Sequence, residues 1–375
     1  MKIKEINRLE DFLALEKEWN NFLETLDLIP IFCTWEWLST WWKHFKKNKR
    51  LLVLLAEENN EIVGIAPLMF SVDDIYGFRI GKIEFIGTPN SGCQDFILGE
   101  RPEECIRLFL AYLDKYLEKR TYIKLSDIRE TSKSIKLLTG LSGNSRKIRV
   151  RMINTCPYTS LPKSFDTFQR SLNYAKNIKK RKKRLTEKYS IEFKDYSDSE
   201  MEKSGLEIHF DLHQRRWISK GEIGSFDNPK FRNFHVDIAS LFSEKRMLFL
   251  YSLLVDGTPV ATVYGFKYKS KFWCTSFGRE LSFDLYGVGN ILTLHAFKKF
   301  IEEGFTEFNF GRGDEAYKYR WNAQSSKNLE ITITKNGFIS QTKYWLFFQG
   351  YSTLARFQFF LHRLKRLKSL RRPSC

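Results

Sequence analysis

The chain has 375 residues, with 62 Lys and Arg against 44 Asp and Glu and a formal net charge of +18. A hydrophobic content of 42% with 15% aromatics supports packed cores and excludes a disordered chain, and the length favours two domains or one duplicated fold. The basic balance predicts attraction to polyanions (phosphorylated cofactors, nucleic acid, an anionic membrane surface) without choosing among them.

The six cysteines, Cys33, Cys93, Cys105, Cys156, Cys274 and Cys375, contain no C-x-x-C pair. That argues against a zinc site or disulfide framework and for thiols in a reducing cytoplasm. The charged start, Met1-Lys2-Ile3-Lys4-Glu5, lacks the apolar stretch of a signal peptide, and no apolar run reaches the roughly 18 residues of a membrane span. A cytoplasmic protein is expected, with peripheral attachment to the inner membrane face as a variant.

In chain order, residues 1–6 alternate like a strand and Glu10–Leu26 has helical apolar spacing. Thr34 is placed to cap a Trp-rich helix, Trp35–Phe45. Strands Leu51–Ala56 and Ile62–Phe70 flank an Asn59-Asn60 turn, giving a hairpin. Strands near Ile83–Ile86 and Phe96–Leu98, a helix Pro102–Lys119 and a strand Tyr122–Leu125 complete the first half. In the second half Phe168–Tyr189 reads as one very basic helix, followed by helices Glu200–Lys220 and Phe231–Phe242. Met247–Val255 and Thr258–Tyr268 form a hairpin across Asp256-Gly257, and Phe272–Phe277 is the next strand. A helix Gly289–Glu303 closed by Gly304, a strand Thr306–Phe310 and a last strand Leu329–Thr334 follow.

The two halves share hairpin, strand, helix, strand, which points to a tandem duplication. Cys156-Pro157 and Leu161-Pro162 interrupt the pattern between them. The expected organisation is 1–160, 161–335 and a basic extension 336–375. In that extension Leu354–Arg372 has the spacing of an amphipathic helix, suited either to an anionic membrane or to packing on the enzyme.

The densest chemistry lies in Phe308-Asn309-Phe310-Gly311-Arg312-Gly313-Asp314-Glu315-Ala316-Tyr317-Lys318-Tyr319-Arg320-Trp321. A buried strand runs into a glycine-flanked turn that delivers charge, and such loops commonly carry function. Further pieces are Phe32-Cys33-Thr34-Trp35-Glu36-Trp37-Leu38 with Trp41-Trp42, Ile65-Ala66-Pro67-Leu68, Phe85-Ile86-Gly87, Cys156-Pro157-Tyr158 and Leu212-His213-Gln214-Arg215-Arg216-Trp217. Together, over roughly residues 30–325, they resemble the CelD-like acetyltransferases of the GNAT superfamily, associated with bacterial polysaccharide biosynthesis and related to Fem-type aminoacyl transferases of peptidoglycan.

The resemblance implies an α/β (α+β) chain with a tandem duplicated GNAT (acyl-CoA N-acyltransferase) fold, mixed central sheets flanked by helices. It implies transfer of an acetyl or other acyl group from acyl-coenzyme A to an amine or hydroxyl, in cell-envelope or exopolysaccharide biosynthesis, with acetyl-CoA as co-substrate and no metal. The superfamily cradles pyrophosphate on a glycine-rich turn; here Gly287, Val288, Gly289 and Asn290 stand in that place, after Tyr286 and without the fuller Q-x-x-G-x-G pattern. Glycine lets backbone approach a phosphate, and a helix N-terminus offers free N–H groups. In the superfamily a backbone N–H of the splayed central strand, here within Phe272–Gly278, binds the developing oxyanion, a contribution of about 3–4 kcal/mol.

Lys318 matches the Tyr-Lys pair of the family motif, and Fem-type enzymes carry a lysine in a comparable place. It is the first catalytic candidate, to hold an oxyanion or an acceptor phosphate; a solvated helix lysine is the plain alternative. Asp314 and Glu315 are candidates for general base or acceptor orientation, Asp314 equally for a helix cap. Arg312 and Tyr317 are candidate substrate-binding groups, as are Arg216 and Trp217, the latter at the wall of an acceptor groove between the halves. His209 and His213 have i, i+4 spacing, but no glutamate follows and no third ligand is evident, which argues against a metal. No Cys or Ser is in a recognisable pattern with a His, so direct attack without an acyl-enzyme is expected.

The acceptor is expected to be a small molecule or glycan, with phosphorylated and lipid-linked forms included. The run Lys176-Asn177-Ile178-Lys179-Lys180-Arg181-Lys182-Lys183-Arg184 would grip such an acceptor, bind RNA, or be a solvated face, with nucleic acid the least favoured. The rival readings are a Fem-like transferase taking charged tRNA to a peptidoglycan precursor, and a non-catalytic membrane- or nucleic-acid-binding module.

Overall fold

The computed structural model describes residues 1–336 except 28, 76–77, 118–119 and 143–144. The expected amphipathic helix Leu354–Arg372 lies outside the described residues. In chain order the elements are β1 (Lys2–Ile6), α1 (Leu9–Ala14), α2 (Glu16–Glu24), α3 (Trp35–Phe45), β2 (Lys49–Glu58), β3 (Glu61–Ile75), β4 (Phe78–Phe85), β5 (Ile97–Leu98), α4 (Pro102–Leu117), β6 (Thr121–Arg129), α5 (Lys133–Gly140) and β7 (Arg146–Thr155). They continue with β8 (Tyr158–Ser160), α6 (Phe165–Ser171), α7 (Ala175–Thr186), β9 (Ile191–Asp195), α8 (Glu202–Ser219), α9 (Pro229–Glu244), β10 (Leu248–Val255), β11 (Thr258–Tyr268), β12 (Lys271–Arg279), α10 (Val288–Glu302), β13 (Glu307–Asn309), α11 (Ala316–Tyr319) and β14 (Lys327–Lys335).

Two compact units result: residues 1–154 with 327–336, and residues 155–326. The sheet of the first unit runs β1-β2-β3-β4-β6-β14-β7, with β5 on β3. Thr34 caps α3 as its spacing predicts, its hydroxyl accepting from Trp37 N at 3.4 Å. Asn59 and Asn60 both adopt positive φ, the geometry that lets a two-residue turn follow the strand twist. β4 and β6 run parallel from Gly81/Thr121 to Ile83/Ile123, joined by the crossover that contains α4, whose apolar face packs on the sheet. Past that ladder the unit's own chain fills in. Gln94 N donates to Asp127 O at 2.9 Å, and Asn328 Nδ2 donates to Gly92 O at 2.8 Å.

The sheet of the second unit runs β8-β13-β12-β11-β10-β9. Its core joins one face of β10, β11 and β12 to α10, with Phe249, Phe272, Phe297, Phe300, Phe308 and Trp321 stacked among themselves. α8 and α9 pack against this sheet too. Both units are mixed sheets flanked by helices, with a parallel strand pair and a helical crossover: a tandem GNAT-type architecture.

Three readings of the sequence differ in detail. The stretch Glu10–Leu26 is two helices meeting at Leu15. The basic stretch Phe168–Tyr189 is also two helices, because Leu172 turns extended (ψ 113°) and buries its side chain in the core. The last strand, read as closing the second half, pairs as β14 with β6 of the first unit, Ile331 opposite Leu125.

Candidate active site

The site in the second unit begins with a strand that loses a neighbour. β12 and β13 pair in parallel only over Lys271–Trp273 and Glu307–Asn309, while β12 stays paired to β11 as far as Arg279. Glu280 N donates to Val260 O at 2.8 Å, which fixes the phase of the β11–β12 ladder. In that register Ser276 and Gly278 exchange bonds with β11, and Phe277 and Arg279 turn N–H and C=O to the side β13 has left. Consistent with this, Phe277 O accepts from Arg216 Nη1 at 3.3 Å. A bulge helps aim this edge: the step from Cys274 to Ser276 opposes the single step from Gly265 to Tyr264.

The chain leaving β13 makes the glycine turn singled out in the sequence. Gly311 N is held by Asn309 Oδ1 at 2.9 Å, and Gly311 adopts φ 69°. A Cβ there would stand 3.0 Å from Cys274 O, so both conformation and space require glycine. Lys318 is 2% exposed and directs its ammonium at the turn itself. Nζ donates to the carbonyls of Arg312 (2.8 Å), Gly313 (3.0 Å) and Gly311 (3.4 Å), and pairs with Glu315 at 2.9 Å. Three N–H groups serve four acceptors, so Lys318 has no donor to spare. Arg312 enters this arrangement through its carbonyl.

Glu315, not Asp314, sits at the start of α11, and it makes no side-chain cap. Asp314 is exposed and accepts from the Tyr319 hydroxyl. Tyr317 is half-buried, edge-on to Phe277 at 6.3 Å; burial, with Cys274 and Glu315 nearby, raises its phenol well above the ordinary range.

At the other end of the released edge stands the predicted phosphate turn. Gly287 is left-handed (φ 64°) and starts α10, with Asn290 N and Ile291 N returning to Gly287 O at 2.9 and 3.1 Å. The amides of Val288 and Gly289 precede that first intrahelical bond, and no acid occupies the first turn. A Cβ on Gly287 would stand 2.9 Å from Arg181 Nη1. α7 thus brings one of its cations directly to the turn. Arg279 lies near Gly289 and pairs with Asp284 at 2.6 Å. Val288 itself is buried in the core.

On the face of β12 that meets α8 the structure makes a contact the sequence conceals. His209 Nε2 is 2.7 Å from Ser276 Oγ, and its Nδ1 is 2.9 Å from Thr262 Oγ1. Burial, then His213 and His235, hold His209 far below the usual histidine range. Both ring nitrogens are taken up by hydroxyls, and among the described residues no carboxylate bonds to the ring, so the pair orients the Ser276 hydroxyl and is a poor nucleophile–base couple. Trp217 Nε1 donates to His213 Nε2 at 2.8 Å, which fixes the His213 proton on Nδ1 and leaves the indole a packing group. Burial and the Arg216 charge lower His213 to about 4. Among the described residues no group of three His, Cys, Asp or Glu could hold a metal, and no helix is long and apolar enough to cross a membrane.

Residues 173–319, most of the second unit, match the family model described as acetyltransferase (GNAT) domain. A search of curated proteins by sequence returns no match. Among solved structures, FemX superposes with a TM-score of 0.63 at 12% identity, over 93% of this chain and 100% of FemX. A conserved protein of unknown function from Bacteroides thetaiotaomicron VPI-5482 gives 0.56 at 11% identity, over 89% of this chain and 100% of that one. The C-terminal domain (DUF2156) of an Agrobacterium fabrum protein named as a lysylphosphatidylglycerol synthetase gives 0.51 at 9%, over 85% and 92%. Residues 173–319 are thus similar in sequence to a GNAT acetyltransferase domain, within a chain whose fold superposes on that of FemX.

Proposed function

We propose that the second unit binds acyl-coenzyme A, with acetyl-CoA as the first donor to test, and passes the acyl group to an amine or hydroxyl acceptor. The observation that carries this is one alignment: a strand edge freed of its partner beside an acid-free helix start with a left-handed glycine and an arginine. The amides of Val288 and Gly289, with Arg181, suit a pyrophosphate. The N–H groups of Phe277 and Arg279 suit the amide-rich arm of the donor and the carbonyl oxygen that gains charge. Tyr317, kept protonated by burial, is the acid available to a departing sulfur, and the phenolate so formed would take up the proton that the acceptor sheds. Lys318 holds the turn that places Tyr317, a positioning role, and Glu315 neutralises it there. Arg216 and Trp217 stand on the acceptor's side of β12.

The placement in cell-envelope or exopolysaccharide chemistry rests on the CelD-like motif order and is the finer part of the proposal. An aminoacyl-tRNA donor is the second reading, drawing on the exposed cations Lys176, Lys179, Lys180, Lys182, Lys183 and Arg184 of α7. A thermal shift separates the two. Micromolar acetyl-CoA should raise the melting temperature of the wild type and act far more weakly on Arg181→Gln. No response to any acyl-CoA, together with salt-dependent binding of charged tRNA, would reverse the order of the two readings.

A further inference from the structure

We propose that Arg216 is the binding group for an anionic substituent, a carboxylate or a phosphate, carried by the acyl acceptor. This rests on the acyl-transfer reading for the identity of the molecule that bears the anion. Arg216 lies in the last turn of α8, half-buried, with Nη1 donating to Phe277 O at 3.3 Å. Its Nε is buried and has no hydrogen-bond partner. Burial holds its guanidinium below the usual arginine range, the mark of a cation stripped of water faster than it is compensated.

The carboxylates around it are already committed. Asp284 pairs with Arg279 at 2.6 Å, Glu315 with Lys318 at 2.9 Å, and Glu280 with Arg215 at 3.3 Å. Arg215, the next residue along α8, also takes Asp211, and Arg232 takes Glu207. Among the described residues Arg216 alone of these arginines has no carboxylate within ion-pair distance. A desolvated, unpaired charge lowers stability and persists where a ligand supplies the missing partner. A neutral hydroxyl would leave that charge uncompensated, whereas a carboxylate or phosphate oxygen pair fits the guanidinium fork. Tyr317 is an electrostatic neighbour of Arg216, which places the anion site beside the group that serves the departing sulfur. The Phe277 bond ties the group to the strand edge where the acyl carbonyl would lie, so an anion held here sits close to the reacting atoms.

The test uses the full chain at constant ionic strength, with acetate or inorganic phosphate replacing chloride, in wild type, Arg216→Gln, Arg216→Lys and Arg181→Gln, with and without saturating coenzyme A. One of the two anions should raise the melting temperature saturably, by about 2 °C or more, in wild type and Arg181→Gln but not in Arg216→Gln. Which anion does so assigns carboxylate or phosphate. Without added anion Arg216→Gln should melt no lower than wild type, which a purely structural arginine would not allow. Should Arg216→Gln fail to fold, Arg216→Lys decides: it keeps the charge without the fork, and its anion affinity should drop at least several-fold. Equal anion responses in wild type and the Arg216 variants overturn the inference. So does an anion response that coenzyme A abolishes, because Arg216 would then serve the donor. If coenzyme A gives no shift while the acetate or phosphate result holds, the donor reading fails and the anion site stands.

Discussion

The two units build the same parallel strand pair and helical crossover, and finish them oppositely. In the first unit the chain past Ile83/Ile123 is bonded by its own loop through Gln94 and Asn328, and α4 opens on Pro102 with Glu103 and Glu104 in its first turn. In the second the ladder stops at Trp273/Asn309, and α10 opens on a left-handed glycine with no acid and with Arg181 at hand. Two carboxylates at a helix start repel an anion that an open start attracts. The fold alone therefore does not make a donor site; the site needs a strand edge left free and a helix start left positive.

The largest effect that would sharpen this contrast is expected from Gly287→Val. A β-branched residue at φ 64° is strained by about 1–3 kcal/mol and its Cβ meets Arg181, so acyl-CoA-dependent turnover should fall at least about 100-fold. Steady-state release of free thiol measures it; near-normal kcat/KM would remove the turn from the donor site. Next comes Lys318→Met, which strips an ammonium from three carbonyls and a carboxylate. A loss of roughly 2–4 kcal/mol in denaturant unfolding is expected, with activity falling alongside it. Vanished turnover with unchanged stability would instead put the lysine in the chemistry.

Between pH 4.5 and 6, above the range where the lowered carboxylates Glu5 and Glu330 titrate, His213 and His235 in the second unit and Asp95 in the first predict opposite responses to pH. Burial lowers His213 to about 4 and His235 to about 3 from 6.5, so between those values and 6.5 the unfolded chain binds more protons. The second unit's stability is then complete above pH 6.5 and is lost on acidification towards pH 3–4, by roughly 3 kcal/mol for His213 alone. In the first unit burial raises Asp95 to about 6 from 3.8, against hydrogen bonds from Ser132, Ser134 and the Phe96 amide. Its contribution is present below pH 3.8 and is lost as the pH rises through 6. Hydrogen exchange read separately on β10 and β2 should show the two slopes, and Asp95→Asn should flatten only that of β2. Parallel slopes would break the contrast. The smallest effect is expected from Glu103→Gln, whose pair with Arg107 is exposed: at most about 0.5 kcal/mol, and no change in turnover.

Much of this was legible in the sequence because local patterns carried it. Thr34 capped its helix, Asn59-Asn60 and Asp256-Gly257 turned their hairpins, and the glycine turn after Phe310 proved to lie at a strand end. What stayed hidden depends on contacts that residue identity does not encode. The lysine at 318 binds backbone carbonyls, which leave no mark in a sequence. His209 meets Ser276 across 67 residues, and Arg216 is singular only because its neighbours' carboxylates went elsewhere. Arg181 was visible within the basic run, but only packing of α7 beside Gly287 separates it from the solvated cations around it.

The pairing of β14 gives the chain an order of assembly. β7 reaches its sheet only through β14, which is synthesised after the whole second unit. On the ribosome residues 155–326 emerge as one continuous piece and can complete their own sheet, while the earlier-made half waits with β6 and β7 unjoined until residues 327–335 appear. The sheet of the first unit is thus joined only after the second unit has been made, and a chain cut short after Ser326 would leave β6 and β7 without the strand that links them.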